Sequence, residues 1–125
     1  RLYADLIASS GPAVLVHADL HHYNILQGQR EPWLAIDPHG VAAEREYEVG
    51  ALLRNPFPTL PPPAELRRVE ARRLDQLSER LGFDRQRLAA WGAAQAVLSA
   101  AWDVEDNTDG WPSGIAYAEA LAACL

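Results

Sequence analysis

The residues with the clearest chemical potential lie between His17 and Gly40, where Asp19, Asn24 and Asp37 follow short apolar segments. Phosphoryl transfer asks little of a protein beyond positioning the reactants and neutralising charge. It needs one carboxylate to orient the acceptor hydroxyl and take its proton, and Asp19 could supply that group. It also needs oxygen ligands for Mg²⁺, and an amide with a carboxylate, such as Asn24 with Asp37, suits that hard cation.

Short strands must position these side chains. The apolar residues 13–16 are typical of a strand that runs directly into the polar segment. Residues 23–27 and 33–36 flank a turn containing glycine and proline, which predicts a β-hairpin. Such a hairpin would bring Asn24 and Asp37 to the same end of its two strands.

The rest of the chain carries helical periodicity interrupted by helix breakers. Residues 55–63 hold five of the nine prolines and predict an extended loop. Asp84 is a good N-cap residue, and Gly82 closes the preceding helix. Helices are predicted over residues 1–8, 44–54 and 66–81, from Asp84 towards 102, and from Trp111 to the end.

The periodicity also predicts which side chains face inward. Trp91, Trp102 and Trp111 are expected in the core rather than on a ligand-binding face. In the last helix the inward positions are expected to be Ile115, Ala118, Leu121 and Leu125. Two or three short strands followed by about four helices predict an α+β fold that is mainly α, in one domain spanning residues 1–125.

Composition narrows the function classes. The formal net charge is −6 and all 11 basic residues are arginines, so no mechanism can use a lysine of this chain. An acidic chain without a basic cluster argues against nucleic acid as a partner. Cys124 is the single cysteine, which excludes a disulfide framework, and no apolar run is long enough for a membrane span. We therefore expect a cytoplasmic protein without a membrane partner.

The polar segment resembles a known catalytic loop. The pattern His17-x-Asp19-Leu20-x-x-x-Asn24 resembles that of the kinase-like phosphotransferases, and Asp37-Pro38-His39-Gly40 resembles their metal-binding motif. A small residue, Ala18, follows the histidine, as in the aminoglycoside phosphotransferases. The segments 35–38 and 44–49 are similar to the streptomycin 6-kinase and hydroxyurea-resistance branch of that family.

The resemblance implies roles for individual residues. Asp19 would be the catalytic base, Asn24 and Asp37 would be Mg²⁺ ligands, and ATP would be the co-substrate. His17 would be a structural histidine that braces the loop against Glu48.

The resemblance also implies an architecture. Arg45 and Glu48 would form a structural pair at the start of the following helix. The chain would be the C-terminal lobe of a protein-kinase-like fold, with the nucleotide lobe, its Gly-rich loop and its lysine preceding residue 1. We expect the isolated chain to be inactive without that lobe, and we expect the apolar surface of residues 1–16 to allow self-association.

An acidic run after the long helix is a candidate acceptor site. Carboxylates there would bind a polycationic aminoglycoside such as streptomycin, although a solvated helix end explains the same residues equally well. The candidates are Asp103, Glu105, Asp106 and Asp109.

Two alternatives to a kinase remain open. The chain could be a catalytically silent relic that binds a small cation or a protein through its acidic face. It could also be a metallohydrolase, since histidine and aspartate ligands cluster in the polar segment. Those ligands would be His17, Asp19, His21 and His22.

Overall fold

The chain folds into a helical body with two small two-stranded sheets. The structure is a computed structural model that describes residues 1–56 and 59–125. Within them lie five α-helices: α1 (Leu2–Ala8), α2 (Gly50–Leu53), α3 (Pro63–Leu81), α4 (Arg85–Glu105) and α5 (Trp111–Ala122). The strands are β1 (Val14–Val16), β2 (Ile25–Gln27), β3 (Trp33–Ala35) and β4 (Val41–Ala43), and two 3-10 helices cover His22–Asn24 and Arg45–Val49. This agrees with the predicted α+β fold that is mainly α.

The predicted hairpin is confirmed. Strands β2 and β3 pair antiparallel with Leu26 opposite Leu34. Gly28 is required in the turn, because a Cβ there would lie 2.9 Å from the carbonyl oxygen of Glu31 and 2.5 Å from the Leu34 side chain. The hairpin places Asn24 next to Ile36, whose N–H donates to the Asn24 carbonyl oxygen at 2.9 Å.

A second two-stranded sheet was not predicted. Strand β4 pairs antiparallel with β1, with Leu15 opposite Ala42. Gly40 takes a φ of 68°, a left-handed conformation that favours glycine, and turns the chain back towards β1. The sequence signal for β4 is weak because its three residues show no alternation and no hairpin turn links it to its partner.

Helix α4 forms the centre of the helical body. Its Leu88 and Trp91 are buried, and between the larger side chains it carries alanines and Gly92. A Cβ on Gly92 would lie 2.9 Å from Leu53 of α2 and 3.1 Å from Leu121 of α5. The small residues therefore let α2 and α5 approach the α4 backbone closely.

The ends of α3 and α4 follow the sequence signals. Gly82 ends α3 with a φ of 66°, and the Asp84 side chain accepts from the N–H of Arg87 at 2.7 Å as the N-cap of α4. Helix α3 begins three residues earlier than predicted, at Pro63, because proline is compatible with the first turn of a helix. Residues 57 and 58 of the predicted proline-rich loop lie outside the described residues.

Three core predictions were wrong. Trp102 is 53% exposed and Trp111 is 46% exposed. Gly114 of α5 packs on Ala100 of α4, and Trp102 lies about 200° around the helix from that contact because it is two residues further on. Leu125 is also exposed, since α5 ends before it at Ala122.

Helix length and hydropathy were also compared with the requirements of a bilayer. Within the described ranges, no helix is both long enough and apolar enough to cross a membrane.

Candidate functional site

The loop after β1 is fixed by a carboxylate from a distant segment. Glu48 accepts from the N–H of His17 at 2.6 Å and from the N–H of Ala18 at 3.3 Å. Ala18 has a φ of 71°, which disfavours any residue with a Cβ by about 1–2 kcal/mol. The two hydrogen bonds to Glu48 hold this unfavourable turn in place, and the turn directs Asp19 away from the strand.

His17 connects the loop to the hairpin through its imidazole. Its Nδ1 accepts from the N–H of Asp19 at 3.3 Å, so the proton resides on Nε2 and is donated to the Ile36 carbonyl oxygen at 2.7 Å. The His17 carbonyl oxygen also accepts from the N–H of His39 at 2.9 Å. His17 thus bridges the loop and the end of β3, and Glu48 holds the His17 backbone rather than its ring.

Asp19 has several donors around its carboxylate, none at short range. Arg54 Nη2 lies 3.4 Å from Oδ1, while His21 Nε2 and Asn24 Nδ2 each lie 3.4 Å from Oδ2. The Asp19 side chain is 24% exposed. Its carboxylate is thus open to a ligand and has capacity for further hydrogen bonds.

Asn24 is buried directly behind Asp19. Its Nδ2 donates to the Asp19 carbonyl oxygen at 2.9 Å, which orients the amide. Its Oδ1 is the atom that could serve as a ligand oxygen. Asp37 follows Ile36, the backbone partner of Asn24, and is exposed with a left-handed φ of 58°. The hairpin therefore brings Asn24 and Asp37 to neighbouring positions across its strands, as the sequence predicted.

This donor set suits Mg²⁺ better than a transition metal. Asn24 and Asp37 offer an amide oxygen and a carboxylate, which are hard oxygen ligands. Among residues 1–56 and 59–125, no three histidine, cysteine, aspartate or glutamate side chains lie close enough to hold one metal ion. His17 turns to a backbone carbonyl while His21 turns to Asp19, so the ligands of the metallohydrolase alternative do not converge.

Arg45 and Glu48 do not contact each other as an ion pair. Arg45 donates to Glu46 at 3.0 Å and to the Gly82 carbonyl oxygen at 3.1 Å, and its guanidinium lies over the Phe83 ring. Arg45 therefore joins the second 3-10 helix to the turn between α3 and α4. Glu48 instead holds the loop after β1.

The acidic run extends over the end of α4, which ends at Glu105. Asp103 is half-buried and its Oδ1 accepts from the Thr108 hydroxyl at 2.7 Å. Its charge also acts on the guanidinium of Arg54, the residue that contacts Asp19. The other three candidates are exposed, with no side-chain contact to the described loop: Glu105, Asp106 and Asp109.

Arg54 is the site residue that sequence reasoning missed. It ends the short apolar helix α2, contacts Asp19, and donates from Nη1 to the Ser99 hydroxyl at 3.4 Å. Burial lowers the pKa of the Arg54 guanidinium, and the charges of Asp19 and Asp103 oppose that shift. An arginine directly after the apolar run 51–53 was the available signal.

His22 points towards a different part of the surface. Burial lowers the pKa of its imidazole, and the nearby charge of Arg73 acts in the same direction. His22 is therefore neutral near pH 7 and adds no positive charge beside the loop.

Comparison with known proteins identifies a matching family and several relatives. Residues 2–107 match the sequence model of a family described as aminoglycoside/hydroxyurea antibiotic resistance kinase. Streptomycin 6-kinase of Streptomyces griseus is 42% identical over 120 residues, which is 95% of this chain and 39% of that protein. Hydroxyurea phosphotransferase of Kitasatospora aureofaciens is 38% identical over 94% of this chain and 32% of its own length.

A third relative is also named for streptomycin. Streptomycin 3''-kinase of Klebsiella pneumoniae is 40% identical over 82% of this chain and 39% of that protein. The chain thus spans about two fifths of the length of the streptomycin kinases it matches. No solved structure matches it. The match over most of the chain confirms the resemblance noted in the sequence: the chain belongs to the aminoglycoside/hydroxyurea antibiotic resistance kinase family.

Proposed function

We propose that the protein carrying this chain transfers a phosphoryl group from ATP to a hydroxyl of a small molecule. The observation that carries the proposal is the arrangement around Asp19. Its open carboxylate lies beside the buried amide of Asn24, which donates to the Asp19 backbone at 2.9 Å. Family membership supports the reaction class, because the relatives are named as kinases and phosphotransferases.

Asp19 acts on the acceptor hydroxyl. As the hydroxyl oxygen forms its bond to the γ-phosphorus, the bond from that phosphorus to the bridging oxygen breaks and ADP leaves. The hydroxyl proton passes to the Asp19 carboxylate. Asn24 fixes the loop backbone at Asp19, and Glu48 fixes it immediately before that residue.

Asn24 and Asp37 would hold Mg²⁺ through their oxygen atoms. The bound cation neutralises charge on the phosphates of the nucleotide. The hairpin contributes rigidity, because the hydrogen bond from Ile36 to Asn24 keeps the two ligand positions at one end of the paired strands.

The acceptor is an aminoglycoside such as streptomycin in this proposal. Two of the relatives cited are named for streptomycin, and the acceptor site would use carboxylates. Asp103 is the best placed of the four acidic candidates, since it is the one whose charge acts on the guanidinium beside Asp19.

The test uses the complete product of the gene that encodes this chain. Asp19→Asn should lower kcat for phosphorylation of streptomycin by about 10²–10⁴-fold, because it removes the proton acceptor and keeps the side-chain shape. ATP binding with Mg²⁺, measured by calorimetry, should change little. Asp5→Asn is the matched control, since Asp5 is an exposed aspartate on α1.

Two outcomes would count against the proposal. Equal turnover by wild type and Asp19→Asn would remove Asp19 from catalysis. A wild-type protein that binds ATP but phosphorylates no acceptor in a panel of aminoglycosides, hydroxyurea and simple alcohols would favour the silent binding module.

A further inference from the structure

Arg54 is a largely buried cation with an incomplete set of partners. Its side chain is 18% exposed, and its contacts to Asp19 Oδ1 and Ser99 Oγ are both 3.4 Å long. Its Nε is buried and has no hydrogen-bond partner among the residues that the structure describes. Burying a guanidinium in this way is unfavourable unless a nearby negative charge compensates it.

Arg73 shows what a structural arginine looks like in the same molecule. Its guanidinium donates to the carbonyl oxygens of Leu52, Leu53 and Asn55 and to the carboxylate of Glu70 at 2.8 Å. Three of these acceptors are backbone atoms on either side of Arg54. Arg73 therefore fixes the end of α2, whereas Arg54 projects from that fixed point towards Asp19.

The position of Arg54 is also fixed from within α2. Its own N–H donates to the Gly50 carbonyl oxygen at 3.3 Å, and the Asn55 side chain donates to the Ala51 carbonyl oxygen at 2.8 Å. Because the backbone of Arg54 is held in this way, its guanidinium takes a defined position. It lies next to the carboxylate of Asp19, 35 residues earlier in the chain.

We propose that Arg54 is a positioning residue for Asp19, an inference that rests on the proposed phosphotransferase function. Its guanidinium holds Oδ1 and so restricts rotation of the carboxylate. Oδ1 is the weaker base because it faces the permanent cation of Arg54, while Oδ2 lies beside the His21 imidazole and the Asn24 amide. Oδ2 is therefore the oxygen that takes the proton of the acceptor hydroxyl.

The experiment replaces Arg54 in the complete gene product and measures kcat, KM and thermal unfolding together. Arg54→Ala should lower kcat by about 10²-fold, the size expected when a catalytic group is misplaced by about 1 Å, with KM for ATP within about twofold. Arg54→Lys should recover part of the loss because it restores the positive charge. Millimolar guanidinium should raise the turnover of Arg54→Ala and leave that of Asp19→Asn unchanged. Arg68→Ala is the control, since that arginine is 81% exposed on α3.

The outcomes separate positioning from stability. A kcat of Arg54→Ala within about threefold of wild type would overturn the inference and leave the proposed function intact. A loss that tracks the folded fraction, and that neither Arg54→Lys nor guanidinium reverses, would assign Arg54 to the scaffold and also overturn it. An inactive wild type would overturn the proposed function and this inference together.

Discussion

Glu44 and Asp19 are both carboxylates that meet an arginine, yet their surroundings differ. Glu44 is 4% exposed and accepts from Arg87 Nε at 2.6 Å, from the N–H of Gly11 at 2.9 Å and from the indole N–H of Trp91. Asp19 is 24% exposed, and its side-chain contacts are all 3.4 Å long. One carboxylate has short contacts on both oxygens, and the other remains open.

The difference separates scaffold from site. The partners of Glu44 come from the segment after α1 and from α4, so this carboxylate joins elements that are distant in sequence. Both of its oxygens already accept hydrogen bonds from the protein. Asp19 keeps unused capacity, which is what a group that must contact a substrate requires. The extent to which protein donors occupy each carboxylate therefore distinguishes a scaffold residue from a site residue.

The largest expected effect on stability belongs to Glu44. Glu44→Gln should lower the free energy of unfolding by about 2–3 kcal/mol at pH 7, because it breaks charged hydrogen bonds in a buried site. Asp19→Asn should change it by less than about 1 kcal/mol, since its contacts are long and partly exposed. Urea unfolding measures the free energy of unfolding of both variants. Equal destabilisation would contradict the assignment of Glu44 to the scaffold and Asp19 to the site.

The contribution of Glu44 to stability should also depend on pH. Burial alone would raise the pKa of Glu44, but hydrogen bonds from Arg87, Gly11 and Trp91 outweigh it and lower that pKa. A lowered pKa stabilises the fold above the ordinary value of 4.5, and this contribution is lost as the pH falls through the lowered value. The gap in stability between wild type and Glu44→Gln should therefore be widest near pH 7 and narrow below pH 4.5.

The contribution of Glu70 to stability should change with pH in the opposite direction. It is fully buried, its Oε2 has no hydrogen-bond partner in the described part of the chain, and burial raises its pKa although Arg73 opposes the shift. A raised carboxyl pKa stabilises the fold at low pH, and this contribution is lost as the pH rises through the raised value. The stability of wild type relative to Glu70→Gln should therefore fall as the pH rises from 4 to 8. Unfolding curves across that range that run parallel would contradict it.

The smallest effect is expected in the acidic run. Asp103→Asn should raise KM for a cationic acceptor about two- to fivefold, as expected for a partly exposed ion pair, with kcat little changed. Asp109→Asn should leave KM unchanged because Asp109 is exposed. Steady-state kinetics with streptomycin and with an uncharged alcohol distinguishes the two. An unchanged KM for Asp103→Asn as well as for Asp109→Asn would mean that the run is only a solvated helix end.

The part of the candidate site that could be predicted from the sequence is the part whose residues lie close together in the chain. Asp19 and Asn24 lie five positions apart in one loop, and a short hairpin relates Asn24 to Asp37, so residue spacing constrains the geometry. Helix ends at Gly82 and Asp84 were predictable for the same reason, since capping depends on the nearest residues. The roles of these site residues remain predictions.

The sequence alone specified the spacing of Asp19 and Asn24 in the loop after β1, the hairpin and the caps of the long helices, because hydrogen bonding and backbone preference act over a few residues. Tertiary structure alone decided which distant side chains meet. Glu48 reaches His17 from 31 positions away, Arg54 reaches Asp19 from 35, and β4 pairs with β1 across the whole hairpin. Trp102 faces solvent because the contact between α4 and α5 is made two residues away, on the opposite side of the helix. Such outcomes depend on how whole elements pack, and no local pattern of residues specifies that packing.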